Sequence, residues 1–156
     1  MVTIADFTVP GIAKSESKKQ RPLRLPDGRL VSVGPRTDDK PQAEYKARVA
    51  LFARQAIPAP VSGPVALRLH ITRPQPRSYP RKPTPKYPWP WADMAKRKDL
   101  DNVAKLLCDA LTGVAYHDDC QIVDLHVSRS FGEHGVRIVL SVALHGERAA
   151  QLEEAG

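Results

Sequence analysis

Long apolar runs are the first thing this chain lacks. No stretch approaches the ~18–20 residues that a helix needs to cross a bilayer, so no membrane partner is expected. The opening residues, MVTIADFTVPG, have no basic leader and carry Asp6 inside their apolar run, so they do not read as a secretory signal. Cysteine is scarce too. Cys108 and Cys120 make no disulfide framework and no CxxC metal spacing, and a reducing cytoplasm is the expected compartment. The five histidines show no HExxH spacing, and the serines sit in no nucleophile-elbow context. There is no P-loop and no Rossmann glycine pattern, so no small-molecule cofactor is expected.

Basic charge and proline are what the chain has in quantity. The 156 residues suit one domain with one core, and a hydrophobic share of 42% is ordinary for a globular protein. Twenty-four Lys and Arg against seventeen acids leave a net charge of +7, which favours an anionic partner, nucleic acid first. The placement is more telling than the total. Residues 73–98 hold eight Lys/Arg against one acid, Asp93, so this segment alone carries the net charge of the whole chain. The same segment holds seven of the fifteen prolines and forms neither helix nor inner strand. A loop of that length inside a compact domain is usually functional or an insertion.

The remaining pattern predicts α+β architecture. Residues 3–9 read as a strand ended by Pro10-Gly11, and residues 12–21 as a basic loop. Asp27-Gly28 sits between two β-prone runs as a hairpin turn. Asp38 or Asp39 caps a helix with Tyr45, Val49, Phe52, Ala53 and Ala56 at helical spacing, stopped by Pro58 and Pro60. Residues 65–72 alternate as a half-buried strand. A second helix covers 101–112, with Leu100, Val103, Ala104, Leu107 and Leu111 as its stripe and Gly113 behind it. Two last strands follow. The first is expected to bury Val123, Leu125 and Val127, and the second Val136, Ile138, Leu140, Val142 and Leu144. Gly132 and Gly135 between them predict an antiparallel pair. The expected fold is a mostly antiparallel sheet with two main helices packed on one face, in a single domain over 1–145 with a tail at 146–156.

The chemistry concentrates at DLDNVAK, residues 99–105. The stripe places Asp101, Lys105 and Asp109 along one edge of the second helix, off its buried face. Asp99 enters from an extended segment and can converge on Asp101. A second acidic pair, Asp118-Asp119, opens the next strand. Carboxylates gathered in this way suit a hard divalent cation that keeps waters and phosphate oxygens as its other ligands. Such a cation activates water and neutralises charge on a phosphodiester, and Lys105 adds a second positive centre. The plain readings stand beside this one. Asp before a helix is a common cap, Asp101 and Lys105 make an ordinary i,i+4 pair, and Asp118-Asp119 suit a turn. The residues alone leave both open. In the 73–98 loop, Tyr79, Tyr87, Trp89 and Trp91 interleave with the cations. They suit either stacking on unpaired bases or packing on the protein's own surface.

Residues 96–127, KRKDLDNVAKLLCDALTGVAYHDDCQIVDLHV, closely resemble the signature of the RusA family of Holliday junction resolvases. The matching positions are Asp99, Asp101, Asn102, Lys105, Asp109-Ala110-Leu111, Asp118, Asp119, Gln121, Ile122 and Val123, in order and at family spacing. The resemblance implies a homodimeric, Mg²⁺- or Mn²⁺-dependent endonuclease of the bacterial cytoplasm, common in phages and prophages. Such an enzyme cuts four-way DNA junctions by paired nicks. It further implies Asp99, Asp101 and Asp119 as metal ligands and Lys105 as a catalytic residue, with Asn102 and Asp118 in support. DNA contacts are expected from Arg73, Arg77, Arg81, Lys82, Lys86, Lys96, Arg97 and Lys98. The Pro/Trp/Tyr insertion at 73–95 is not part of the family's core pattern. The alternatives are a broader branched-DNA or flap nuclease, and a junction-binding or DNA-packaging accessory that does not cut.

Overall fold

The computed structural model describes residues 1–14, 18–38, 40–77, 82–86 and 100–143. Strands β1 (Val2–Pro10), β2 (Lys18–Arg24) and β3 (Leu30–Asp38) precede helix α1 (Lys40–Ala56). Strand β4 (Val65–Arg73) follows, then helix α2 (Leu100–Leu111), a 3₁₀ turn (Asp119–Gln121), and strands β5 (Ile122–Phe131) and β6 (Gly135–Val142). The main sheet has the order β1-β6-β4-β5, and β2-β3 form a separate two-stranded ribbon. The expected α+β class holds, with a mostly antiparallel mixed sheet and two helices that both contribute to the core. The tail at 146–156 lies outside the described residues.

Local sequence explains the elements that hold the site. Val65, Leu67, Leu69 and Ile71 alternate along β4 and are all 1% exposed or less, as expected of the central strand of a sheet covered on that face. Helix α1 turns Tyr45, Val49 and Ala53 into the core, with Phe52 and Ala56 half-buried beside them. Pro58 lies just past its end, where a helix cannot continue. Helix α2 buries Val103, Leu106, Leu107, Ala110 and Leu111, and Gly113 behind it takes φ +77°, a left-handed conformation that favours glycine. Tyr116, fully buried, donates from its hydroxyl to the Cys108 carbonyl at 2.9 Å and so closes the end of α2.

Four expectations need correction. β5 and β6 do not pair with each other, because β4 lies between them: β5 runs parallel to β4, and β6 antiparallel to it on the other side. The Gly132–Gly135 segment therefore steps over a strand instead of closing a hairpin. As an edge strand, β5 leaves Val123 62% and Leu125 45% exposed, where burial was expected; Val127 alone of the three is half-buried. Residues 12–21 are not loop throughout, since β2 begins at Lys18. Asp118-Asp119 open a 3₁₀ turn, and the strand starts only at Ile122. Leu144 lies outside the described residues.

One buried group is poorly served. The Tyr45 hydroxyl has no hydrogen-bond partner among the described residues, and burial pushes its pKa up to about 12. Removing an unpaired buried hydroxyl while keeping the ring relieves a desolvation cost. Tyr45→Phe is therefore expected to raise unfolding stability by about 1 kcal/mol, read from urea denaturation midpoints at unchanged m-value.

Candidate metal and DNA site

Burial of the α2 stripe fixes the rotation of the helix, and that rotation decides what faces outward. Leu100, Asp101, Ala104, Lys105, Cys108 and Asp109 all line one cavity of about 600 Å³, with Asp101 and Lys105 exposed and Ala104 and Cys108 buried where the cavity meets the core. The opposite wall is Asp119 from the 3₁₀ turn and Ile122, Leu125 and Val127 from β5. Three carboxylates thus line one hollow, Asp101 and Asp109 from α2 and Asp119 from the turn, with the Lys105 ammonium carried on the same helix edge. Asp101 sits in the first turn of α2, where the helix dipole favours an anion. Asp101, Lys105 and Asp119 are all exposed, so the hollow is open to solvent.

The structure separates the predicted residues into groups. Asp101, Lys105 and Asp119 come together around the cavity. Asp99, the third expected ligand, lies outside the described residues. Asn102 is half-buried on α2 and does not line the cavity. Asp118 caps the 3₁₀ turn, with its Oδ1 accepting from the Cys120 N–H at 2.9 Å. That backbone hydrogen bond, first among the causes, holds the Asp118 carboxyl below the usual carboxylate value of 3.8. The cap is therefore fully present above that pH and is lost as pH falls through the lower, folded-state value. Of the expected DNA contacts, Arg73 is half-buried and donates to the Ala13 carbonyl at 3.3 Å, while Arg77, Lys82 and Lys86 are exposed. Arg81, Lys96, Arg97 and Lys98 lie outside the described residues, as do Tyr79, Tyr87, Trp89 and Trp91.

Two participants went unassigned in the sequence. Lys46 of α1 reaches Asp109 with Nζ 3.3 Å from Oδ2, both side chains being largely covered, so one wall of the cavity is tied to the other helix. Nothing in the sequence spacing links residues 46 and 109. Gln121 is the second. Its Oε1 accepts from the N–H groups of His117 (2.8 Å) and Asp118 (3.0 Å), and its Nε2 donates to the carbonyls of Val61 (3.0 Å) and Gly63 (2.8 Å). One side-chain amide thereby joins the turn carrying Asp119 to the segment entering β4. The paired pattern S/T/D/N-x-x-Q of a capping box at Asp118–Gln121 was the available signal.

The donor set decides which cation fits. Asp101 and Asp119 offer oxygens, as a hard ion with retained waters requires. The one soft group on the wall, Cys108, is held protonated: burial raises its thiol pKa, and the neighbouring Asp109 and Asp119 carboxylates push the same way. A neutral thiol is a poor ligand. Among the described residues no three His, Cys, Asp or Glu side chains form a group that could hold a metal ion.

The family model for the endodeoxyribonuclease RusA matches residues 10–143. The chain belongs to the RusA family. This match extends well beyond the 96–127 signature and takes in β4, both helices and the ribbon. The uncharacterized protein YqaN of Bacillus subtilis is 36% identical over 92 residues, 57% of this chain and 65% of that protein. No described helix is long and apolar enough to cross a membrane.

Within this RusA-family site, Gln121→Ala removes four hydrogen bonds and leaves two carbonyls without that donor. A loss of about 1–3 kcal/mol in unfolding stability is expected, measured by urea denaturation. Faster amide hydrogen exchange is expected at residues 117–122.

Proposed function

We propose that this chain is a metal-dependent, structure-selective DNA endonuclease that resolves Holliday junctions by paired symmetric nicks. The observation that carries the reading is the meeting of Asp101, Lys105 and Asp119 on one cavity in a chain of the RusA family. Asp101 and Asp119, with Asp99, would hold Mg²⁺ or Mn²⁺. Bound there, the cation supplies an activated water and neutralises charge on the phosphodiester.

The chain's own groups do the rest. The Lys105 ammonium attracts a phosphate oxygen and offsets negative charge that grows during displacement. Gln121 and the Asp118 cap hold the turn that presents Asp119. The Lys46–Asp109 pair keeps that second aspartate engaged with α1, so the cavity is not left with three mutually repelling carboxylates on its described walls. Cations of the 73–98 segment, Arg77, Lys82 and Lys86 among them, meet phosphates and make binding steeply salt-dependent. A homodimer supplies two equivalent sites for two symmetric strands.

The test uses a labelled four-way junction and a linear duplex, each with Mg²⁺ and with EDTA. Metal-dependent symmetric nicking confined to the junction is expected. Equal cutting of the duplex would instead mark a general or flap nuclease, and binding without cutting an accessory role. Asp101→Asn and Asp119→Asn are each expected to lower the cutting rate by at least about 10²-fold while junction affinity stays within a few-fold, since a transition-state interaction is lost. Wild-type cutting by either variant removes it from the ligand set.

A further inference from the structure

The β2-β3 ribbon has no evident reason to exist as a free structure. A lone two-stranded hairpin is marginally stable at best in water and gains its keep by covering something apolar. Near its tip this one covers nothing among the described residues. Leu23 stands opposite Val31, and Arg24 opposite Leu30, so the two pairs fall on opposite faces. Yet Leu23 is 48%, Leu30 67% and Val31 36% exposed, and Arg24 is exposed with them. Near its tip, both faces of the ribbon are thus exposed among the described residues.

The charge of the ribbon says which partner. From Lys18 to Asp38, six Lys/Arg stand against two Asp. The balanced total outside 73–98 conceals this local excess. Asp27 is already engaged at the turn, accepting from the Arg29 N–H and side chain. Each strand also carries a proline, Pro22 in β2 and Pro35 in β3. Both strands are edges, and a proline on each hinders the addition of a further strand from another protein chain. The contact must therefore be made by side chains. A two-stranded ribbon fits the major groove of a duplex, and β2 alone extends about 24 Å, long enough to follow it.

The position of the ribbon also suits DNA at the candidate site. α1 begins at Lys40, directly after β3, and Lys46 pairs with Asp109 on the cavity wall. The base of the ribbon thus lies about 9 Å along one helix from that wall.

We infer that the β2-β3 ribbon is a DNA-binding arm, one that lies along a duplex groove beside the cavity and anchors a junction limb through phosphate contacts. The inference rests on the nuclease reading for its biological setting, but its test does not. The full chain is titrated in EDTA, by fluorescence anisotropy over a salt series, with a labelled four-way junction and a linear duplex. Arg21→Gln/Arg24→Gln is compared with Arg54→Gln/Arg68→Gln, an equal charge loss at the end of α1 and on β4. The ribbon variant is expected to weaken both affinities about ten-fold and to lower the salt slope by about two, whereas the comparison variant stays near wild type. Equal shifts in the two variants, or wild-type binding by the ribbon variant, overturn the inference. A second copy covering the ribbon would appear as a halved mass by light scattering in Leu23→Ser/Leu30→Ser with an unchanged salt slope, and that also overturns it. A wild-type chain that binds but never cuts in Mg²⁺ or Mn²⁺ sinks the nuclease reading and leaves the arm standing. A chain that cuts while ribbon variants bind normally does the reverse, and failure to bind either DNA removes both.

Discussion

The rotation of α2 about its own axis governs the candidate site, and burial of its apolar stripe sets that rotation. Leu106, Leu107 and Leu111 are fully buried, and each contributes about 1.5–3 kcal/mol relative to exposure. The surface ion pairs on the same protein contribute ~0–1 kcal/mol each. Packing therefore wins any conflict with charge. Turning the helix by one residue would pull the leucines out of the core, so the Asp101–Lys105–Asp109 edge faces the cavity because nothing else can.

The facing wall depends on a second, more local constraint. Asp119 sits in a three-residue turn with no buried side chain of its own, so packing does not hold it. Hydrogen bonds do. Asp118 caps the turn, and Gln121 fastens it to the segment before β4. β5 then runs parallel to β4 from Ile122 onward and carries Leu125 and Val127 to the apolar side of the cavity. One wall is thus positioned by hydrophobic burial and the other by a polar network. Polar networks of this kind hold geometry closely when every member is satisfied.

Much of this was legible in the sequence where the cause is local. The α2 stripe, the glycine behind it and the central alternation of β4 follow from periodicity, which depends only on near neighbours. Asp101, Lys105 and Asp119, singled out by the family signature, line one cavity. What escaped reading is long-range. Alternation in 121–131 predicts a strand but not whether it is central or edge, so Val123 and Leu125 looked like core. The turn between Gly132 and Gly135 gave no sign that β4 lies between its flanking strands. The Lys46–Asp109 pair joins residues 63 positions apart on two helices, and no local pattern encodes it. Asp118, expected in support of Asp119, caps the 3₁₀ turn, while its neighbour lines the cavity.

The central claim is that α2 and the 3₁₀ turn together hold a hard divalent cation. Titrating Mn²⁺ into the isotopically labelled protein and following paramagnetic broadening of backbone amides tests it without any DNA or turnover. Saturable broadening confined to the first turns of α2 and to residues 118–122, displaced by Mg²⁺ and lost in Asp119→Asn, is the predicted result. Broadening centred elsewhere, or unchanged in that variant, would contradict the account.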